Sequence, residues 1–303
     1  MGIEGDSTVL VVGGTGMLGR QVVDRLFARG KRVRALVRST SKTDDLEAAG
    51  AELAVGDLLQ RDSLRSALEG VDAVVTSAAG YTGHTPGDTI ETDYAGNANL
   101  ADAAADVGVR RFVFTSILTC DQTPEVPHFW AKKIMEDHLA ERGVPFVSLR
   151  PGAFLDGVGM WGGSNGWVDG RLSWVGDLDI PLTFVYTADL AGYLAASVDA
   201  PVSAGERIDI GWDRAVNFRE LARIGSDVLG RDIEAVAMDP AWLRRPDLSD
   251  EANRDFTAMV DHFNSGRYVA DTYRQAEVFE PVPTAEDAIR RRLAAFGELL
   301  TSA

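Results

Sequence analysis

Residues 8–29, TVLVVGGTGMLGRQVVDRLFAR, decide the fold of this chain. The run Thr8–Val12 is short and wholly apolar, as in a strand that is buried on both faces. Apolar residues then recur at helical spacing over Met17–Arg29, and Gly30 follows as a helix-ending glycine. Three spaced glycines, Gly13, Gly16 and Gly19, begin directly after the first segment and extend into the start of the second. A strand, a glycine-rich turn and a helix in this order predict the first βα unit of a dinucleotide-binding domain.

Each glycine of this turn has a separate physical task. Gly13 permits a tight turn, Gly16 lets a pyrophosphate approach the backbone N–H groups, and Gly19 lets the helix pack closely on the strand. The helix N-terminus adds N–H donors and a partial positive charge. A glycine-rich turn with a purely structural role is the alternative. The cofactor contacts predicted here are Gly13, Thr15, Gly16, Met17, Leu18 and Gly19.

Strands and helices alternate through the rest of the first half. Further strands are predicted at Arg32–Val37, Ala51–Val55, Val71–Thr76, Arg111–Thr115 and Val144–Leu149. Helices are predicted at Asp62–Glu69, Ile90–Val107 and Phe129–Arg142. Strands separated by helices of this length indicate βαβ units. The predicted fold is therefore α/β, a Rossmann-type doubly wound parallel sheet, with a smaller C-terminal substrate-side lobe.

The pattern changes after Pro151, where glycine and tryptophan become frequent and periodicity is lost. Helices and strands return at Thr187–Val198, Arg207–Ile210, Asn217–Leu229, Ile233–Met238 and Thr284–Leu300. We therefore divide the chain into residues 1–152, an NADP(H)-binding Rossmann domain, and residues 153–303, a substrate-side lobe. Some segments of the lobe are expected to return to the Rossmann core.

The end of the second strand favours NADP(H) over NAD(H). An NAD site places a carboxylate there for the ribose 2′-hydroxyl, but the first acid in this region is Asp44. Arg38, Ser39 and Lys42 occupy the position instead, and a guanidinium suits a 2′-phosphate. An ordinary solvated arginine is the alternative for Arg38.

The next two strand ends supply further candidate cofactor contacts. Asp57 is placed to accept a hydrogen bond from the adenine amino group, and capping of a turn is its alternative role. The small side chains after the fourth strand leave room for a ribose over the sheet edge. The predicted contacts of these two segments are Asp57, Leu58, Ser77, Ala78 and Ala79.

The overall composition restricts the partners of the chain. It carries 30 basic and 46 acidic residues, a net charge of -16. This charge repels phosphate backbones and anionic lipid, so we expect a small-molecule substrate, no nucleic acid and no membrane. Met1–Thr8 lacks secretory signal features, and no apolar run suggests a membrane span. Cys120 is the single cysteine, so no intrachain disulfide can form, and a reducing, cytoplasmic location is expected. The Cys120 thiol is a candidate nucleophile, with a small core residue as the alternative.

Four motifs together resemble the atypical short-chain dehydrogenase/reductases, in the branch of NmrA-like and isoflavone-reductase-like proteins. They are the Gly-x-x-Gly-x-x-Gly turn, the Val-Arg-Ala-Leu-Val-Arg run up to Arg38, Gly56-Asp57-Leu58 and Arg150-Pro151-Gly152. The resemblance covers roughly residues 8–198 and thins beyond them. It implies a nicotinamide cofactor that also contacts Pro151 and Gly152.

The same resemblance places the catalytic residues and shows a departure. Reductases of this family use a tyrosine, a lysine four residues later and a serine on the preceding strand. The matching positions here are His128, Lys132 and Ser116. The resemblance implies that Lys132 binds the nicotinamide ribose and Ser116 the substrate, while His128 replaces the tyrosine as a candidate acid. A helix cap for His128 and a solvated lysine for Lys132 are the alternatives.

Aromatic residues supply the candidate substrate contacts. Tyr81 follows the fourth strand, as a rival acid or a packing residue of the substrate pocket. The glycine-rich segment after the sixth strand is a candidate mobile lid over a flat substrate, with simple packing as the alternative. Its aromatic residues are Phe154, Trp161, Trp167 and Trp174. The remaining histidines, His84, His138 and His262, show no metal-ligand spacing, and no metal is expected.

Three functions remain open at this level. The favoured one is an NADPH-dependent reductase that transfers hydride to a carbonyl, quinone or conjugated acceptor. A quinone or enone spreads its charge and needs less help from an acid, which fits the missing tyrosine and favours an aromatic or polyketide-like acceptor. The ketoreductase and quinone reductase classes both fall within it. The second is a redox sensor or regulatory protein that binds the dinucleotide without turnover. The third is a redox-neutral step, such as an epimerisation, with a permanently bound cofactor.

Overall fold

The computed structural model describes residues 7–80, 89–160 and 165–301. Three residues that the sequence singled out, Tyr81, His84 and Trp161, lie outside these ranges. The strands of the described ranges are β1 (Thr8–Val12), β2 (Arg32–Val37), β3 (Glu52–Val55), β4 (Ala73–Thr76), β5 (Arg111–Thr115), β6 (Phe146–Pro151), β7 (Ala153–Phe154), β8 (Arg171–Trp174), β9 (Phe184–Val185), β10 (Glu206–Ile210) and β11 (Glu234–Ala237).

The α-helices of the same ranges are α1 (Met17–Ala28), α2 (Asp44–Ala48), α3 (Arg61–Ala67), α4 (Asn97–Val107), α5 (Pro127–Glu141), α6 (Gly166–Asp169), α7 (Thr187–Ala196), α8 (Phe218–Leu229), α9 (Asp250–Phe263), α10 (Tyr273–Phe279) and α11 (Ala285–Thr301). A π-helix, Thr89–Gly96, leads directly into α4. Short 3₁₀ turns lie at Cys120–Gln122, Leu155–Gly157 and Pro240–Leu243. None of these helices is both long and apolar enough to cross a membrane.

Seven of the described strands form one sheet in the order β10-β6-β5-β4-β1-β2-β3. All of the neighbouring pairs among β1 to β6 in this sheet run parallel. Strands β1, β4, β5 and β6 are buried along their whole length, which agrees with their largely apolar sequences. The prediction of a Rossmann-type doubly wound sheet is confirmed. The strand order reverses between β1 and β4, where sheets of this kind bind ligands.

The chain separates into two compact units. The first comprises Met1–Arg150 and Ala188–Ile208, and the second comprises Pro151–Thr187 and Asp209–Ala303. A large core of the first unit packs under α3, α4 and α5, with Leu10, Val74 and Phe112 among its fully buried members. The second unit contains the two small sheets β8–β11 and β7–β9.

Several stretches differ from the sequence-based prediction: the short helix α2 and the elements from β7 to β9 were not predicted, and two further differences concern longer helices. The helix expected over Ile90–Val107 begins as the π-helix and becomes α-helical only at Asn97. The side chain of Asn97 is fully buried, and its amide donates to the carbonyl of Thr92 at 2.9 Å. This bond joins the first turn of α4 to the π-helix that precedes it. The second difference is that helices α9 and α10 were not predicted, because their segment is dominated by charged residues.

Candidate functional site

The glycine turn between β1 and α1 is built for close backbone approach. Gly13 has a φ of +89°, a conformation that favours glycine, and its carbonyl accepts the Gly16 N–H at 3.0 Å. A Cβ atom on Gly19 would lie 2.1 Å from the Gly13 carbonyl oxygen. Within the described chain no side chain caps the N-terminus of α1, where Gly16 is the N-cap residue. The turn therefore presents backbone N–H donors to a ligand.

An open cavity of about 570 Å³ lies over this turn at the carboxyl ends of β1, β2 and β4. Half of its lining consists of residues predicted as cofactor contacts: Gly13, Thr15, Gly16, Arg38, Asp57, Leu58, Ser77, Ala78 and Ala79. The rest was not predicted: Val12, Leu36, Val37, Ser41, Gly56, Leu59, Gly80, Glu91 and Thr92. Six predicted contacts of the first unit are not part of the lining: Met17, Leu18, Gly19, Ser39, Lys42 and Lys132.

The β2 end of the cavity carries its positive charge. Among the described residues of the lining Arg38 is the one basic side chain, and it is exposed. A short turn fixes its backbone, since the Arg38 N–H donates to Ser41 Oγ at 3.2 Å and the Ser41 N–H donates to the Arg38 carbonyl at 2.9 Å. Sequence reasoning missed Ser41, although its position three residues after Arg38 fits a turn of this type.

Asp57 has the turn-capping role that the sequence left open as its alternative, and its predicted contact with an adenine amino group stays a prediction. Its Oδ1 accepts the Leu59 N–H at 2.9 Å and so forms the turn after β3, while the residue also lines the cavity. The Asp57 N–H lies 3.0 Å from Ser63 Oγ, which fixes the backbone at the same place. A carboxylate is thereby held in a defined position near the β3 edge of the cavity.

Lys132 is neither solvated nor part of the cavity wall. Its Nζ lies 2.6 Å from Oδ1 of Asp93 and 5.3 Å from the centre of the Phe114 ring. The exposed fractions of the Lys132 and Asp93 side chains are 6% and 1%. Oδ2 of Asp93 accepts the N–H of Gly80, a cavity-lining residue, at 3.0 Å. Asp93 therefore connects Lys132 to the wall of the cavity.

His128 lies one helical turn before Lys132 on α5. Its side chain is buried, with 4% of the residue exposed, and its ring packs edge-on against Phe129 at 4.8 Å between ring centres. Pro127 opens α5, and the N-cap residue Val126 makes no side-chain cap hydrogen bond. Both roles that the sequence left open for His128, helix cap and acid, stay predictions.

Ser116 and Cys120 belong to a buried cluster centred on Glu136. Ser116 Oγ lies 3.5 Å from Cys120 Sγ, and both residues are at most 2% exposed. Glu136 accepts hydrogen bonds from Ser148 Oγ at 2.7 Å and from Arg150 Nη2 at 2.6 Å. The sequence placed Ser116 correctly at the end of β5, but its hydroxyl takes part in this cluster rather than in the cavity lining.

The electrostatics of the cluster assign Cys120 to the core. Burial and the nearby Glu136 carboxylate raise the pKa of the Cys120 thiol to about 12. A thiol of this kind is protonated at neutral pH and is a poor nucleophile. Burial of Glu136 opposes its ionisation, but hydrogen bonds and charge from Arg150 outweigh this and hold the pKa of the carboxyl below its ordinary value. Glu136 is thus an ionised partner for buried arginine.

The second unit contains the tryptophans of the predicted lid. Trp167 is 1% exposed and donates from its indole nitrogen to the Val158 carbonyl at 2.9 Å. Trp174 is stacked on Phe218 at 4.7 Å, and its indole nitrogen donates to Asn264 Oδ1 at 3.0 Å. Both rings are fixed in the core of this unit, so the expectation of a mobile lid is corrected at these two positions.

The other described residues predicted in the second unit lie in, or directly between, strands β6 and β7. Phe154 is 41% exposed and lies in β7, where it pairs with Val185 of β9. The carbonyl of Pro151 accepts the Tyr268 hydroxyl at 3.3 Å. The Gly152 N–H donates to the Ile210 carbonyl at 2.9 Å, and a Cβ there would lie 2.5 Å from the Thr183 carbonyl oxygen. Close packing is thus sufficient to require glycine at position 152.

The residues of the cavity fit a dinucleotide. The Gly13 and Gly19 positions exclude side chains, and the start of α1 offers N–H donors. The cavity is lined by residues that follow β1, β2 and β4, where the sequence predicted cofactor contacts. The fold and this site define the class of Rossmann-type proteins with a glycine-built site for a phosphate-bearing ligand.

Comparison with known proteins narrows the class to a family. The model described as the NmrA-like family matches residues 5–286, so the chain belongs to the NmrA-like family, as the motifs had indicated. The chain is 30% identical to the photosystem II assembly factor Ycf39 of Synechocystis sp., over 78% of this chain and 72% of that protein.

Other relatives carry the names of reductases. The (4-alkanoyl-5-oxo-2,5-dihydrofuran-3-yl)methyl phosphate reductase of Streptomyces griseus is 30% identical over 77% of this chain and 78% of its own. The crystal structure of the NADPH-dependent quinone oxidoreductase QOR2 from Escherichia coli complexed with NADPH matches with a TM-score of 0.76. It covers 94% of this chain and 99% of that chain at 20% identity, a likeness that concerns the fold alone.

Proposed function

We propose that this protein is an NADP(H)-dependent reductase that transfers hydride to a carbonyl, quinone or conjugated acceptor without the tyrosine usual in its family. The observation that carries the proposal is the cavity over the glycine turn, with Arg38 and no acid at the end of β2. The names of the phosphate reductase from Streptomyces griseus and of the quinone oxidoreductase add support.

The cavity residues would divide the work of holding the cofactor. Gly13, Gly16 and the start of α1 would bind the pyrophosphate through backbone N–H groups. Arg38 would pair with the 2′-phosphate, which an acid at this position would repel. When bound, the cofactor supplies the hydride. The acceptor end would lie on the side of Ala79 and Gly80, next to the buried Lys132–Asp93 pair.

The charge of that pair bears on the class of acceptor. Lys132 is compensated by Asp93 at 2.6 Å, so it offers little net positive charge to a localised alkoxide. A quinone or enone spreads the developing charge over its conjugated system and needs less stabilisation. His128, one turn before Lys132, is the proposed proton donor, and water is the alternative. Ser116 receives no role in substrate binding, because its hydroxyl is buried against Cys120.

Two titrations and one turnover assay test this proposal. NADPH and NADH are titrated separately by calorimetry, and NADPH oxidation is then followed with a naphthoquinone, an enone and a simple aromatic ketone. Tight NADPH binding with oxidation by the first two acceptors supports the proposal. Weak binding of both cofactors contradicts it. His128→Phe then separates the proton donors, since loss of turnover with unchanged cofactor binding assigns that role to His128.

A second candidate is a dinucleotide-binding protein that acts without turnover. The name of the Ycf39 relative, an assembly factor, and the histidine at the usual tyrosine position favour it. The same assays discriminate, because this candidate predicts tight NADPH binding with no oxidation by any acceptor. A cofactor that is oxidised and reduced within one catalytic cycle, as in an epimerisation, would instead be retained through purification and detectable by its absorbance.

A further inference from the structure

We infer that Asp93 is a positioning residue of the cofactor site, which holds the Lys132 ammonium in place through a buried, charge-neutral pair. The inference rests on the proposed function, because it takes Lys132 as a contact of the nicotinamide ribose. Sequence reasoning had assigned no role to Asp93, and the usual tyrosine, lysine and serine pattern of the family does not contain it.

The contacts of Asp93 carry the inference. The two carboxylate oxygens face different partners, with Oδ1 2.6 Å from Lys132 Nζ and Oδ2 accepting the Gly80 N–H at 3.0 Å. One group thereby fixes both the lysine head and the backbone of the cavity wall. Asp93 is 1% exposed, so water contributes little to either contact.

The location of Asp93 on a π-helix explains how its side chain reaches Lys132. Its two predecessors in the chain, Glu91 and Thr92, line the cavity, while Asp93 is buried behind it. Asn97 stabilises this stretch from the first turn of α4, through bonds to Thr92 and Thr76. Such wide helical turns are rare and occur often at functional sites, which agrees with a positioning role here.

Burial makes the pairing between Asp93 and Lys132 mutually dependent. A buried ammonium without a partner is strongly disfavoured, so Lys132 keeps its place only while Asp93 is ionised beside it. The Phe114 ring, 5.3 Å from Nζ, provides a further contact but no compensating charge. A neutral residue at position 93 should therefore let the lysine head move away from the wall at Gly80.

The test is a double-mutant cycle with Asp93→Asn, Lys132→Met and the combined variant. Asparagine keeps the shape and an acceptor for the Gly80 N–H but removes the charge. The matched control is Asp137→Asn, which removes the carboxylate from Lys133, an exposed pair on the same helix. For each variant the thermal midpoint is measured without cofactor, and the Kd for NADPH is measured by calorimetry.

We expect the thermal midpoint and the Kd for NADPH to respond differently in the double variant. Each single variant should lower the midpoint and weaken NADPH binding by about tenfold or more, the loss of one charged hydrogen bond. The double variant leaves no unpaired buried charge, so its midpoint should recover towards that of the wild type. Its Kd should remain as weak as that of Lys132→Met, because the positioned ammonium is gone.

Five outcomes have distinct meanings. A double variant that regains both stability and NADPH affinity shows a merely structural pair and overturns the inference. Additive losses of affinity overturn it as well, because Asp93 would then act independently of Lys132. NADPH binding by Asp93→Asn equal to that of Asp137→Asn overturns the inference alone. Absence of NADPH binding by the wild type overturns the inference together with the proposed function, whereas binding without turnover leaves the inference standing.

Discussion

Gly19→Ala tests the geometry of the glycine turn directly. The added Cβ would lie 2.1 Å from the Gly13 carbonyl oxygen and 3.0 Å from the Gly14 Cα, and both neighbours are backbone atoms. Real Cβ atoms essentially never approach closer than 3.0 Å, so the turn and the start of α1 must separate by at least about 0.9 Å, the difference of those two distances.

This displacement is large compared with the tolerance of a hydrogen bond. An N–H···O bond of about 2.9 Å to a phosphate oxygen would lengthen to about 3.8 Å, beyond the range of a hydrogen bond. One charge-assisted bond contributes about 2 kcal/mol, and its loss weakens Kd by about 30-fold. The same strain should lower the free energy of unfolding by about 1–3 kcal/mol.

The assay is calorimetric titration of NADPH, with unfolding in urea measured in parallel. Gly192→Ala is the matched control, since Gly192 lies inside α7 and a Cβ there meets no atom within 4 Å. It should keep the wild-type Kd and gain about 0.5–1 kcal/mol of stability. Wild-type NADPH affinity in Gly19→Ala would refute the reasoning, because the ligand would then not depend on the fit between turn and helix.

Three further predictions concern Arg38, Glu136 and Cys120 of the first unit. Arg38→Glu should weaken NADPH binding by about tenfold or more and leave NADH binding equal or better, as measured by competition between the two cofactors. Glu136→Gln should cost about 3–5 kcal/mol in urea unfolding, because it leaves Arg150 without its buried partner, while the exposed Asp137→Asn should cost less than about 1 kcal/mol. Folding lowers the pKa of Glu136, so the ionised carboxylate stabilises the folded protein above the ordinary carboxyl pKa of 4.5, and this contribution is lost as the pH falls below it. The Glu136→Gln variant should therefore lose less of its free energy of unfolding in acid than the wild type. Cys120, with its buried thiol, should not react with iodoacetamide at pH 8 in the folded protein and should react fully in urea; labelling of the native protein, detected by mass spectrometry, would contradict its place in the core.

The sequence was sufficient where a residue acts through local backbone geometry. The spacing of Gly13, Gly16 and Gly19 directly encodes a turn between a strand and a helix, and the structure contains that turn. Arg38 was identified because it directly follows β2. In a doubly wound sheet the carboxyl ends of the parallel strands lie at the edge where ligands bind. The geometry at these positions depends on residues that are close in the chain, so the sequence was sufficient to predict it.

Sequence reasoning failed where the partner of a residue lies far along the chain. Lys132 was found by its spacing, but nothing in that spacing indicates that Asp93, on a π-helix of irregular period, neutralises it. Trp174 was interpreted as part of a lid, yet its indole nitrogen donates to Asn264. Asn264 directly follows α9, a helix that the sequence did not predict. Ser116 stands at the expected strand end but is directed into the Glu136 cluster.

Hydride transfer in a single turnover tests the central claim most directly. Purified protein is mixed with an equal amount of NADPH and a naphthoquinone under anaerobic conditions, and the absorbance of the reduced nicotinamide is followed in a stopped-flow instrument. The loss of NADPH should be well above the rate without protein, should fall strongly in Gly19→Ala at the same cofactor concentration because binding is weaker, and should be retained in Gly192→Ala. Stoichiometric NADPH binding with no loss of the reduced cofactor, for the quinone and for an enone alike, would contradict the account and favour a dinucleotide-binding protein without turnover.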